Sequence, residues 1–221
     1  MRTIITTTLI TLCLGSCLIA QEFHITGITS DLPDSTLVCL KNVDLDTPID
    51  TTYIEANRFK FNGEINEGYN QYVLILPKMK RTKPAFFFVE NTAITIDLRN
   101  KKYVNDAIIT GGRIQNQHAE LVAILHESKQ KYNSIELKIS SKNNHDLRSD
   151  LIKKRNELYF KIDAKTLDFI KSHPDYEYSA FLLDELSINK SNAEIQTLFN
   201  SLSNDVKQSK YGKLIANNLK L

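Results

Sequence analysis

The residues best placed for chemistry lie near the N-terminus. Leu14-Gly15-Ser16-Cys17 is an aliphatic residue, two small residues and a cysteine, and this order resembles a bacterial lipobox. In that chemistry a diacylglycerol is transferred to the thiol and a peptidase cuts the chain before the cysteine. The motif therefore predicts that Cys17 is lipidated, begins the mature protein and anchors it to a membrane of the cell envelope.

A second cleavage site, after Ala20, competes with the first. Arg2 is the only charge before residue 22, and residues 4–14 are apolar apart from threonines. This layout is typical of a secretory signal, here residues 1–20, and the apolar run is shorter than the roughly 20 residues that span a bilayer. Both sites imply export, either as a membrane-anchored periplasmic or outer-membrane lipoprotein or as a soluble periplasmic protein.

The remaining cysteine chemistry is limited. Once the signal is removed and Cys17 is cut away or lipidated, Cys39 stands alone, so it has no partner for an internal disulfide. The sequence has no C-x-x-C, so it lacks a thioredoxin-like redox pair. Cys39 lies in the apolar run Leu37-Val38-Cys39-Leu40 and is expected to be a small buried core residue.

Histidines and carboxylates also suggest no catalytic centre. His118 and His126 are eight residues apart on one predicted helix, whereas a helical metal pair prefers a spacing of four. We therefore expect both to lie on a helix surface. Glu90 and Asp97 are expected on a solvated face. The sequence thus predicts no catalytic, cofactor-binding or metal site.

Charge is almost balanced over the whole chain. It has 28 Lys and Arg against 26 Asp and Glu, which gives a formal net charge of +2. Nucleic-acid binding usually requires a concentrated basic face, so we expect no nucleic-acid partner. Lys153-Lys154-Arg155, the densest basic cluster, is interpreted as a solvated helix face.

Period-two hydrophobicity runs through residues 21–110. Phe59 and Phe61, for example, alternate with polar residues, as they do in a strand with one buried face. About eight such strands predict an antiparallel β-sandwich or a partly open barrel. Ala56-Asn57 separates two of them, and because alanine disfavours positive φ we expect a turn looser than two residues.

Helical periodicity replaces the strand pattern after Gly111-Gly112, and residues 111–221 are predicted to form an all-α segment. Gly111-Gly112 is interpreted as the break between the last strand and the first helix. The Ser191–Glu194 spacing predicts a capping box, and His173-Pro174-Asp175 predicts a break between helices. The helical stripes are Ile114, Leu121, Val122, Leu125 and Tyr132, then Leu147, Leu151, Leu158, Ile162 and Phe169, and then Ile195, Leu198, Phe199 and Leu202. The fold class is therefore α+β.

The β half resembles a known family. The resemblance rests on Phe23-His24-Ile25-Thr26-Gly27-Ile28, on the hairpin from Ala56 to Ile65, and on the closing strands around Phe88, Ile94 and Ile109-Thr110-Gly111. It covers residues 23–111 and points to the domain-of-unknown-function family 4369, common in exported proteins of Bacteroidota. Where the family usually has Asn-Gly in the hairpin, this chain has Ala56-Asn57.

The resemblance also implies a companion. In many relatives this β domain and a helical spacer precede a thioredoxin-like domain with C-x-x-C, and the sequence ends at Leu221 where that domain would begin. The relatives' redox activity is therefore not carried over, and no catalytic residue transfers.

Two functional hypotheses follow. The first is a non-catalytic, envelope-anchored interaction module, and the alternative is a surface lipoprotein that binds a glycan or peptide. A protein partner, either thioredoxin-like or a second copy, would use the helical half. Tyr211, Leu214, Ile215 and Leu219 form an apolar stripe that either closes a helical bundle or remains exposed as a docking face.

Overall fold

Two four-stranded sheets pack face to face in the first half of the chain. The computed structural model describes residues 22–30, 32–45, 49–78, 83–141 and 145–221. One sheet has the strand order β4-β1-β7-β8 and the other the order β3-β2-β5-β6. The predicted sandwich, with eight strands in the described residues, is confirmed. The strands are β1 (Phe23–Ile28), β2 (Leu37–Asn42), β3 (Asp50–Tyr53), β4 (Arg58–Gly63), β5 (Asn70–Ile75), β6 (Ala85–Val89), β7 (Ala93–Asp97) and β8 (Ile108–Thr110).

Alternate side chains fill the space between the sheets. In β1, Phe23 and Ile25 are buried and His24 is exposed, and in β4, Phe59 and Phe61 are buried between exposed neighbours. Burial of this apolar surface is the main stabilising term for a sandwich. The core also contains Val38, Leu40, Ile54, Leu74, Phe87, Val89, Ile94, Ile96 and Val104.

One strand pair differs from the expected antiparallel arrangement. β1 pairs antiparallel with β4 but parallel with β7, because the chain leaves β6 in one sheet and enters β7 in the other, beside the start of β1. The other strand pairs among the described residues are antiparallel. We call the end of the sandwich where β1 starts, beside Gly63 and Ala93, the entry end, and the opposite end the distal end.

The Ala56-Asn57 turn is tighter than predicted. Both residues have positive φ, 48° and 61°. The backbone groups of Glu55 and Arg58 exchange two hydrogen bonds, of 2.8 and 2.9 Å, which close a two-residue hairpin turn. The expectation of a looser turn is wrong. The turn must be sharp because β3 and β4 belong to different sheets, with buried Ile54 between them.

Six α-helices follow the sandwich in the described residues. Gly111 and Gly112 have φ of 100° and 79°, and a Cβ on Gly111 would lie 2.2 Å from the carbonyl oxygen of Ala93. The structure confirms the predicted transition from strand to helix at Gly111-Gly112, the capping box at Ser191 and the break after α2. The helices are α1 (Arg113–Ser141), α2 (His145–Ser172), α3 (Glu177–Ser187), α4 (Asn192–Ser201), α5 (Asn204–Lys207) and α6 (Lys210–Leu219).

A second hydrophobic core joins the helices to the sandwich. Tyr69 and Phe88, which the sandwich supplies, are each 1% exposed and belong to the same cluster as the buried helical residues. The Phe88 ring lies edge-on to Tyr178 and Phe181, with centroids 5.3 and 4.9 Å away. Tyr69 stacks on Tyr211 of the last helix at 5.5 Å. The two halves therefore share a core.

The C-terminal stripe is mostly part of this core. Tyr211 and Ile215 are buried beside residues of α3 and α4, and Leu219 packs against the same cluster. Only Leu214 is exposed, at 42%. Of the two alternatives, the stripe therefore closes the helical bundle, and it offers little apolar surface to a partner.

Candidate functional site

The cysteines fall into two groups. Cys17, the predicted lipidation site, and the cleavage site after Ala20 lie outside the described residues, so both remain predictions. Cys39 is a free thiol buried in β2. Its burial raises the pKa of the thiol, which disfavours the reactive thiolate. The prediction that Cys39 is a buried core residue is confirmed.

The two helical histidines have different environments. His118 is not a surface residue, because its ring packs against Phe88 at 5.2 Å and its Nδ1 lies 2.8 Å from the Tyr178 hydroxyl. Burial, with a smaller effect of Lys129, lowers the pKa of His118 to about 4. His126 is exposed as predicted. Within the described residues, no group of three or more His, Cys, Asp or Glu side chains could hold a metal ion.

The carboxylates singled out in the sequence have structural roles. Glu90 does not lie on a solvated face, because its Oε2 accepts a hydrogen bond from the backbone N–H of Ile114, at 2.7 Å, in the first turn of α1. A carboxylate at this position also interacts favourably with the positive end of the helix dipole. Asp97 binds Arg99 on the surface, and these hydrogen bonds lower the pKa of Asp97 to about 2. The two carboxylates therefore do not form an acid–base pair.

A cleft opens between the sheets at the entry end. It has a volume of about 450 Å³, within the range of small-ligand sites. Phe23 and Tyr72 form part of its apolar wall, with centroids 5.8 Å apart. Lys210 of α6 closes one side, where its Nζ lies 2.6 Å from Asn70 Oδ1 and 2.9 Å from Asp44 Oδ2. The mouth thus contains both apolar and paired polar groups.

The α1–α2 hairpin runs alongside the sandwich. Its base is at the entry end, where Glu90 caps α1, and residues 132–140 of α1 reach Lys83 and Tyr103 at the distal end. Arg155–Glu136, at 3.3 Å, and a hydrogen bond from Lys165 Nζ to the Ile124 carbonyl, at 3.1 Å, tie its helices together. No described helix is long and apolar enough to cross a membrane.

Two surfaces of this hairpin are exposed. Apolar side chains point into solvent at Leu137, Tyr159 and Phe160, which are 71%, 45% and 68% exposed. A separate groove of about 610 Å³ follows the two helices. It is lined by Gln130, Lys131, Ser134, Ile135, Lys138, Lys154, Glu157, Leu158 and Lys161. Sequence reasoning missed this groove, although the excess of lysine in the hairpin was a signal for it.

Comparison with known proteins gives one family match, over residues 23–118, to the family described as "Domain of unknown function (DUF4369)". No curated protein and no solved structure matches the chain. The match includes the start of α1, which belongs physically to the sandwich because Gln115 Oε1 accepts a hydrogen bond from the Phe88 N–H of edge strand β6, at 3.0 Å. Residues 23–118 therefore match the family of domains of unknown function 4369, as the resemblance predicted.

Proposed function

We propose that this chain is a non-catalytic interaction module, anchored in the cell envelope by lipid on Cys17, which binds a protein partner through the α1–α2 hairpin. The observation that carries the proposal is the exposure of Leu137 and Phe160, at 71% and 68%, on one helical hairpin. Tyr159, which is 45% exposed, lies beside Phe160 with ring centroids 5.9 Å apart, and contiguous exposed apolar surface is typical of sites that bind protein. The partner is a thioredoxin-like protein or a second copy of the chain, and not a nucleic acid.

The anchor and the hairpin fit a simple orientation. Cys17 is six residues before Phe23, and six extended residues span about 20 Å. A lipid on Cys17 would hold the entry end close to the membrane. The 29 residues of α1 extend for about 40 Å toward the distal end, so the tip of the hairpin would face away from the bilayer.

Side-chain roles support the absence of catalysis in the proposal. Glu90 caps a helix, His118 packs in the shared core and Cys39 is buried between strands. These three side chains are thus occupied by the fold. Catalytic groups generally need access to a substrate in a cleft.

Radiolabelled palmitate tests the anchor. The protein should incorporate the label and partition with membranes, and Cys17→Ala should lose both properties. An intact mass for a mature chain that begins at Gln21 would exclude the anchor.

Site-specific photocrosslinking tests the hairpin. A benzoylphenylalanine at position 160 should crosslink a defined partner in envelope preparations, and a chain crosslinked to itself would identify a second copy. The control position is Ile188, which is 80% exposed but lies after α3, outside the hairpin. Equal crosslinking at both positions would exclude the hairpin as the specific surface.

The cleft at the entry end favours the second candidate function, in which a lipoprotein binds a glycan or peptide. Its volume of about 450 Å³ and its mixed wall suit a small polar ligand with an apolar part. Envelope glycans and short peptides can be screened by their effect on the melting temperature. A true ligand of the cleft should lose its effect in Tyr72→Ala and keep it in Tyr159→Ala.

A further inference from the structure

The groove on the α1–α2 hairpin is bordered by two rows of lysine. Lys131 and Lys138 lie on α1, and Lys154 and Lys161 lie on α2. Each pair is seven residues apart, which is two helical turns or about 10 Å. All four side chains are exposed, whereas Ile135 and Leu158 between the rows are half-buried and form an apolar floor.

The positive charge of this element is not shared by the rest of the protein. Residues 113–172 contain twelve Lys and Arg against eight Asp and Glu, whereas the remainder of residues 22–221 contains fifteen against eighteen. Clustered charge of one sign steers partners of the opposite sign. The hairpin is therefore the part of the chain best suited to attract an acidic surface.

Internal ion pairs neutralise the groove only in part. Lys131 pairs with Glu127 one turn away, and Glu157 is the one carboxylate among the lining residues. Within the described residues, no ion pair involves Lys154 or Lys161. The cross-helix pair Arg155–Glu136 does not line the groove. Lys131, with a smaller effect of Lys161, lowers the pKa of Glu127, but neither Lys154 nor Lys161 is held in a direct ion pair, so both can pair with carboxylates of a partner.

A second copy of the chain does not fit this groove. A two-fold contact brings the same patch of both molecules together, so it would place lysine rows against each other. The exposed Leu137 and Phe160 do not extend the floor either, since each is two residues, or about 200° around its helix, from Ile135 or Leu158. The groove is a separate surface that calls for a partner of opposite charge.

We infer that this groove docks an acidic amphipathic helix of a partner protein. Such a helix can place a leucine stripe on the Ile135–Leu158 floor while carboxylates spaced two turns apart meet the lysine rows on either side. The inference goes beyond the proposed function, because it concerns another face of the hairpin and does not depend on lipid at Cys17.

A designed peptide tests the inference. The probe is a fluorescent synthetic helix with glutamates at seven-residue spacing on both sides of a leucine stripe, and its anisotropy is measured against the purified protein. We expect binding that weakens as NaCl is raised. Reversing charge with Lys154→Glu and Lys161→Glu should weaken binding by about tenfold or more.

Matched controls distinguish binding in the groove from nonspecific attraction between the peptide and a positively charged protein. Lys153→Glu with Lys171→Glu makes the same charge change at exposed positions of α2 outside the groove and should leave affinity nearly unchanged, with circular dichroism confirming that all variants fold. The same peptide with serines in place of leucines, and poly-L-glutamate, should bind much more weakly.

Several results would overturn the inference. They are absence of peptide binding, equal loss of affinity in both double variants, or binding of poly-L-glutamate as tight as that of the peptide. Stronger binding to phosphatidylglycerol vesicles through Lys154 and Lys161 would assign the groove to a lipid surface instead. None of these results predicts the outcome of crosslinking from position 160, because that position lies on another face of the hairpin. The proposed function can therefore be correct when this inference is wrong, and the reverse.

Discussion

Replacing Phe88 with alanine tests whether the two halves of the chain fold as one unit. Phe88 is 1% exposed, and its ring lies 4.9 Å from Phe181, 5.3 Å from Tyr178 and 5.7 Å from Tyr69. Its removal leaves a cavity lined by both halves, and a buried Phe→Ala change costs about 3–5 kcal/mol. Domains have total stabilities of about 5–15 kcal/mol, so the variant should lose a large part of its free energy of unfolding.

Urea unfolding with two probes measures this effect. Far-UV circular dichroism follows mainly the helices, and thiol labelling of Cys39 follows the sandwich. If m is about 2 kcal/mol/M, a loss of 3–5 kcal/mol lowers the urea midpoint by about 1.5–2.5 M, and both probes should move together. The control is Phe86→Ala on the same strand, which removes a side chain that is 51% exposed and should cost under about 1 kcal/mol.

Two outcomes would refute the shared-core argument. One is a helical signal that melts while Cys39 remains protected, since this would separate the halves into two folding units. The other is a cost for Phe88→Ala no larger than that for Phe86→Ala. Either would mean that the aromatic contacts across the two halves contribute little to stability.

Three further changes test the local geometry. Because burial lowers the pKa of His118 from its ordinary 6.5 to about 4, the unfolded chain binds a proton that the native state excludes. Stability should therefore be full above pH 6.5 and fall by up to about 3 kcal/mol as the pH drops to 4; urea midpoints should show this slope, and His118→Gln should remove it. Cys39 should react slowly with a thiol reagent in the native state and quickly in urea. The protein should not catalyse the reduction of insulin, because it lacks a dithiol. Insulin reduction that is lost in Cys39→Ser would contradict the interpretation of Cys39 as an unreactive buried thiol. Ala56→Asn with Asn57→Gly suits two positive φ angles and should stabilise the protein by about 1 kcal/mol in thermal unfolding, whereas a lower melting temperature would contradict the turn geometry.

Local sequence patterns predicted the strands and helices better than the turns and contacts that connect them. The alternation of Phe59 and Phe61 identified β4 because burial on one face of a strand repeats every second residue. The same reasoning misjudged Ala56, since the preference of alanine for negative φ was overridden by the need to pass sharply from one sheet to the other. Tertiary geometry decided that turn, and no local window of sequence contains it.

The position of His118 could have been read from the sequence. It is four residues after Ile114 and three before Leu121, so it lies on the stripe that was predicted to be buried. Glu90 offered no such signal, because its capping role depends on the start of a helix 24 residues later. The contact of Tyr69 with Tyr211 is likewise invisible to local patterns, since the chain must fold before the two meet.

Burial along the α1–α2 hairpin predicts a gradient of local stability. At its base, Leu121 and Leu125 of α1 and Phe169 and Ile170 of α2 belong to the shared core. Farther along, the floor residues of the groove are only half-buried, and Ile139 is the one buried apolar residue among the described residues of this section. Local opening costs less free energy where fewer apolar contacts hold the backbone, so amide protection should be lower around the groove than at the base.

Hydrogen exchange of the purified protein, with and without the acidic leucine-stripe peptide, measures this gradient. A helix seated between the lysine rows would stabilise the section it touches, so the peptide should slow exchange in residues 127–161 and leave the base of the hairpin unchanged. The Lys154→Glu, Lys161→Glu variant should keep the gradient and lose the response to the peptide. Uniform protection along both helices would show that the hairpin opens only with the whole protein, and the sparse packing beyond its base would then not determine its local stability.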